Sequence, residues 1–230
     1  MKKIFVALFS VSVLLGACTG KSGDAGQTRN ADGNDGKDGE KKENVSVPFP
    51  KEIDYKMLSN EADLKKVYGM ILTKLGDNAK AVDKIYISVR RPSSEGTIIR
   101  KDEPDNLNLD ITYLYPEDKK KLYNVNYYSG NKDWDEGSVK TVQLIGGNAE
   151  NFRLENEMFD LTPLTPDILC QIVKDAMAKY KDDSKYSYQY IKNITINKKN
   201  GVDVSVFGKL SANDLDKSNY YQATLTGKKR

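Results

Sequence analysis

Asp133-Trp134-Asp135-Glu136-Gly137 is the stretch of this sequence where side chains of reactive type crowd together. Carboxylates flanking an indole could serve as a sugar platform with an acid pair, because glycoside hydrolysis needs two carboxyl groups about 5–10 Å apart around the scissile bond. Asp133, Asp135 and Glu136 are therefore the candidate catalytic residues. The same stretch also reads as a polar turn, where Asp and Gly serve the backbone and Trp134 folds back onto a neighbouring sheet. A metal in this loop would have carboxylate ligands alone, which is calcium chemistry; neither a metal nor a cofactor is expected.

What the chain lacks narrows the chemistry further. It has no histidine, so no Ser-His-Asp or Cys-His nucleophile system, imidazole base or histidine-ligated zinc site can be assembled. Cys170 has no CxxC neighbour and reads as a half-buried structural thiol. Gly146-Gly147 lacks the strand-to-helix setting of a phosphate loop, and the closing Lys228-Lys229-Arg230 is too short for a nucleic-acid patch.

Tyrosine is the other chemically suggestive residue, with 14 in 230 positions. Tyr127-Tyr128 and Tyr220-Tyr221 are adjacent pairs, so strand alternation turns one of each outward; Tyr186, Tyr188 and Tyr190 should share one face. Tyrosine joins a large contact area to a hydroxyl and is enriched at recognition surfaces. Tyr128, Trp134, Tyr188 and Tyr220 are accordingly the candidate binding surface. The alternative is that strand propensity alone accounts for them.

The elements that must position these residues follow from periodicity. Leu64, Val67, Tyr68, Ile71, Leu72 and Leu75 recur at helical spacing after Ser59, a candidate N-cap, and before Gly76. Period-2 runs follow at Ile85–Val89, Leu107–Tyr115, Tyr123–Tyr127 and Val139–Ile145, which reads as half-buried antiparallel strands. The pattern then recurs: Thr165 and Pro166 open a second helix through Leu169, Ile172, Val173, Ala176 and Tyr180. Strands around Tyr188–Ile196, Val202–Phe207 and Tyr220–Leu225 come after it. Phe152, Leu154 and Met158 are read as one further strand between the halves. The expected fold is α+β, two helix-plus-antiparallel-sheet units, as tandem repeats, over 48–160 and 161–230. This order of elements is similar to that of the β-lactamase-inhibitor-like and PepSY-like modules of secreted bacterial proteins, a likeness that implies a binding or inhibitory role.

Met1-Lys2-Lys3, an apolar run to Ala17, and then Cys18 describe a secretory signal peptide over 1–17. Leu15-Gly16-Ala17-Cys18 resembles the lipobox of bacterial lipoproteins, and the resemblance implies acylation of Cys18 and cleavage before it. Thr19 stands where Asp often retains lipoproteins at the inner membrane, so the resemblance implies an outer-membrane location, on either side. Residues 18–47, from the lipidated cysteine through a Gly- and charge-rich stretch, read as a tether. Loss of Lys2 and Lys3 leaves 34 basic against 33 acidic residues, which gives no reason to expect nucleic acid. The expected function is a non-catalytic protein-binding or adaptor module, held to the membrane by its lipid and partnered by an envelope protein. The alternative is a glycan-binding or carboxylate-dependent glycan-active protein using the Asp133–Glu136 loop.

Overall fold

Helix α1 (Glu61–Leu75) starts at Asn60, whose side chain accepts from the Asp63 N–H at 3.1 Å. The sequence pointed one residue earlier, to Ser59. That hydroxyl instead accepts from the Ile191 N–H at 3.2 Å and pins the helix start to the sheet. Helix α2 (Pro166–Tyr180) opens as expected, with Thr165 accepting from the Ile168 N–H at 3.2 Å and Pro166 in the first turn. The computed structural model describes residues 53–95, 100–144 and 149–230; the signal segment, Cys18 and the tether lie outside them.

The strands are β1 (Val82–Arg90), β2 (Asn106–Leu114), β3 (Lys121–Tyr128), β4 (Asp133–Trp134), β5 (Ser138–Thr141), β6 (Tyr186–Asn197), β7 (Gly201–Leu210) and β8 (Asp216–Ala223). They form one eight-stranded antiparallel sheet in the order β4-β3-β2-β1-β6-β7-β8, with β5 also paired to β3. The class is α+β, with both helices packed on the sheet. α1 leads into the meander β1–β2–β3 and α2 into β6–β7–β8. The meanders join where Lys84–Ser88 of β1 pair with Asn193–Asn197 of β6.

Alternation decides what each face carries. Ile85, Ile87, Leu109, Ile111, Val125, Ile194, Ile196, Val204 and Val206 are buried in one core with Leu64, Val67, Ile71, Leu169 and Ile172 of the helices. That core draws on both halves of the chain. A smaller cluster, Leu114, Leu122, Leu154 and Met158, forms where the connection before α2 meets β2 and β3. There the expected strand is instead a pair of 3-10 turns, Ala149–Asn151 and Leu154–Glu157. Leu154 and Met158 meet the sheet at its polar face, packed on Leu114 and Leu122. Ile145 lies outside the described residues.

Tyr186, Tyr188 and Tyr190 do not share a face. The β6–β7 register shifts between Tyr186 and Tyr188, and a bulge of this kind turns the residues on its two sides to opposite faces. Tyr186 pairs with Leu210 and accepts from Asn219 Nδ2 on the helix side, whereas Tyr190 pairs with Phe207 on the other. At the β6–β7 turn Gly201 has φ +74°, and a Cβ there would stand 2.4 Å from the Ala223 carbonyl oxygen. Only glycine fits that corner.

Tyr68, fully buried on α1, donates to the Leu164 carbonyl at 2.8 Å and so ties the first helix to the lead-in of the second. Burial pushes its hydroxyl pKa up, so the neutral form is favoured by folding and its contribution is lost as pH rises above about 10. Tyr68→Phe is expected to lower unfolding free energy by about 1–2 kcal/mol at neutral pH. It should also flatten the loss of stability above that pH, both read by urea denaturation across a pH series.

Candidate functional site

The helices cover one face of the sheet, and residues of the opposite phase fall on the other. Cross-strand partners share a face, and following them gives a transverse row of Tyr128, Asn108, Ser88, Asn193, Ser205 and Tyr220. The next row is Asn126, Asp110, Tyr86, Thr195, Asp203 and Gln222. Every side chain in both rows is polar or a tyrosine. Five inter-strand steps of about 4.8 Å put Tyr128 and Tyr220 roughly 24 Å apart. They are also the most exposed tyrosines of the sheet, at 41% and 66%.

The two ends of this face, along the strands, are covered. At one end lies the Leu114–Met158 cluster. At the other, Tyr55, Tyr188, Tyr190 and Phe207 form an aromatic group, with Tyr55 and Tyr190 centroids 5.2 Å apart and Tyr190 and Phe207 5.4 Å apart. The Arg91 guanidinium sits 4.1 Å from the Tyr55 ring and 5.0 Å from that of Tyr188. Tyr188 donates to Ser94 Oγ at 3.2 Å, and Glu95, only 3% exposed, accepts from the Arg91 N–H and pairs with Lys192 Nζ at 2.5 Å. Lys192 also stands 4.2 Å from the Phe207 ring. Between the covered ends the polar rows are at least partly exposed, apart from the buried Ser205, and a cavity of about 230 Å³ is lined by Tyr86, Ser88, Val89, Arg90, Glu95, Asn108 and Lys192.

The candidate residues read from the sequence separate accordingly. Tyr128 and Tyr220 lie at the two edges of the open face, one strand in from the short β4 in the case of Tyr128. Tyr188 is on the same side but is engaged with Ser94 and Arg91 in holding the loop after β1. Trp134 is on the helix side: it pairs with Tyr127, lies 5.7 Å from that ring, and has Lys74 of α1 5.5 Å from its own.

Two of the three carboxylates beside Trp134, those of Asp133 and Asp135, accept from backbone N–H groups. Asp133 Oδ1 accepts from the Trp134 N–H at 2.7 Å. Asp135 accepts from the Asn126 N–H at 2.8 Å and from Asn126 Nδ2 at 2.9 Å, while Glu136 offers its carbonyl to the Tyr123 hydroxyl at 2.6 Å. Asp135 extends the strand pairing past β4, because its own N–H returns to the Asn126 carbonyl at 2.8 Å. Trp134 therefore faces the core while Asp135 binds Asn126 of the open face. The indole and the Asp135 carboxylate thus stand on opposite faces of the strand.

The residues the sequence reading missed are the small polar ones: Ser88, Asn108, Asn193, Thr195 and Ser205. Their signal was the off-phase of the alternation, the positions between the apolar residues that defined each strand. Tyr86, Ser88, Asn193 and Thr195 make no side-chain hydrogen bond among the described residues, whereas Asp110, Thr112, Asn124 and Asn126 are linked to one another. The unengaged donors and acceptors thus gather on the central strands β1 and β6. Among the described residues no group of three or more His, Cys, Asp or Glu could hold a metal, and no helix is long and apolar enough to cross a membrane.

Cys170 lies on α2 with its Sγ 3.8 Å from the Glu61 carbonyl oxygen, and burial and the nearby Glu61 carboxylate raise its thiol pKa. A thiol held protonated is a poor nucleophile. The groove of about 480 Å³ beside it, lined in part by Glu61, Asp167 and Lys174, sits where Lys65 already pairs with both Glu61 and Asp167.

Asp135→Ala is expected to cost about 1 kcal/mol and to speed amide hydrogen exchange at Asn126, while Asp135→Asn, which keeps an acceptor oxygen, should restore protection. Lys192→Ala leaves the buried Glu95 carboxylate uncompensated and is expected to lower stability by about 1–3 kcal/mol in chemical denaturation, with Glu95→Gln in the same chain recovering much of the loss. Comparison of the chain with models of protein families, with curated proteins and with solved structures finds no match.

Proposed function

We propose that this chain is a bacterial lipoprotein, held at the outer membrane through acylated Cys18, which acts as a non-catalytic binding module and takes a glycan on the uncovered face of its sheet. The observation that carries this reading is the pair of transverse polar rows across six strands, with free hydroxyls and amides at Tyr86, Ser88, Asn193 and Thr195. A polyhydroxylated chain matches such a surface donor for acceptor. The core of a protein interface, by contrast, is more apolar than its surroundings, and these two rows contain no aliphatic side chain. The absence of turnover is supported by the use of the Asp133 and Asp135 carboxylates as backbone acceptors.

A second reading, an adaptor for an envelope protein, is favoured by one specific feature: Tyr128 and Tyr220 stand exposed at opposite edges of the face, as aromatic anchors of a protein contact do. The two halves are further proposed to be tandem repeats. Support comes from two helices of 15 residues each, followed by three-stranded meanders, and from the antiparallel meeting of β1 and β6, which relates the halves by a local two-fold rotation.

Full-length acylated protein in detergent, applied to a glycan microarray, is expected to bind, and Asn193→Ala with Ser88→Ala should weaken that binding by about tenfold while melting at an unchanged temperature. A blank array, together with a stoichiometric crosslinked envelope protein lost in Tyr128→Ala, Tyr220→Ala, would replace the glycan reading with the adaptor.

A further inference from the structure

The cavity on the open face is small for a drug-sized ligand, at about 230 Å³; its size suits one sugar ring rather than a whole oligosaccharide. Its lining is uneven in charge. Glu95 and Lys192 neutralise each other across their ion pair, with Glu95 at 3% exposure. Asp110, in the neighbouring row, does not line the cavity. Arg90 is different: it lines the cavity, is exposed, and its guanidinium makes no hydrogen bond or ion pair among the described residues. The cavity therefore presents one uncompensated positive charge beside the neutral donors and acceptors of Ser88 and Asn108.

Tyr86, Ser88 and Arg90 project from one strand onto one face at two-residue steps of about 6.8 Å. The sequence of groups along β1 is thus an aromatic ring with a free hydroxyl, a free hydroxyl, and a guanidinium. Lys84 Nζ stands 5.7 Å from the Tyr86 ring, which adds a second cation at the far end of the same line. A guanidinium offers a planar fork that carboxylates fill with two charge-assisted hydrogen bonds, an interaction a neutral hydroxymethyl group cannot reproduce.

Resting on the glycan reading above, we infer that this cavity takes a carboxylate-bearing sugar, a uronic-acid-type residue of an acidic glycan, with its carboxylate on Arg90 and its ring hydroxyls on Ser88 and Asn108. The ligand is then an acidic polysaccharide lying along β1, and Arg90 sets the preference for the acid over its neutral counterpart. Tyr128 and Tyr220, far out along the transverse row, bound the face but do not contact this sugar.

The test pairs immobilised polygalacturonate, alginate and hyaluronan with their carboxyl-reduced forms and measures retention of the full-length protein by biolayer interferometry. Binding to at least one acidic polymer is expected to fall by about tenfold or more on carboxyl reduction. Arg90→Gln should cause the same loss on the unreduced polymer, and Arg90→Lys should keep part of the affinity. Equal binding to a polymer and its reduced form, or an Arg90→Gln variant that still prefers the acid, overturns this inference and leaves the glycan reading standing. No binding to any acidic polymer, with neutral glycans bound on the array, does the same. No binding to any glycan overturns both.

Discussion

The pairing of β1 with β6 is the contact on which the rest of the structure depends. It runs from Lys84–Asn197 to Ser88–Asn193 and places Ile85 beside Ile196 and Ile87 beside Ile194. Without it the chain would be two short meanders, each with a helix and each too small to bury much surface alone. With it, eight strands share one sheet and two helices share one core. The same pairing aligns the polar phase of the two meanders, so that Ser88 stands opposite both Asn108 and Asn193.

An antiparallel sheet covered by helices on one side only leaves its second face to water, and that face can be filled with residues that serve recognition instead of stability. Here the two functions have separated by phase. Aliphatic residues such as Ile85, Ile111, Ile194 and Val204 meet the helices, while Tyr86, Ser88, Asn108, Asn193 and Thr195 look the other way. The covering at either end narrows the open area to the middle strands. At one end the cover rests on the aromatic group around Tyr190, held in place by the Glu95–Lys192 pair and by Arg91 lying over Tyr55 and Tyr188. A buried charge pair of this kind contributes position more than energy, because desolvation offsets much of its attraction.

The Asp133–Glu136 loop shows how a chemically rich string can serve the backbone. Asp135 stands at the end of the two-residue strand β4, where the Asn126 N–H has no further strand to pair with, and its carboxylate supplies the acceptor. Trp134 completes the core edge between Tyr127 and Lys74. These are the duties of a sheet margin. The separation of Trp134 from the carboxylates follows from the pleat, since successive residues of a strand point to opposite faces.

The sequence by itself determined the two helices, the alternating strands and the class of the fold, because these rest on local periodicities of apolar residues and on caps such as Thr165. It also determined that one of each tyrosine pair, Tyr128 and Tyr220, faces outward. Only the tertiary structure decided which polar residues become neighbours. Ser88, Asn108, Asn193 and Ser205 are scattered over more than a hundred positions, and strand order and register, set by pairing between distant segments, bring them into one row. Tyr186 illustrates the same limit within a single strand. Its face depends on a bulge that a neighbouring strand imposes, and no periodicity within residues 186–190 records that partner.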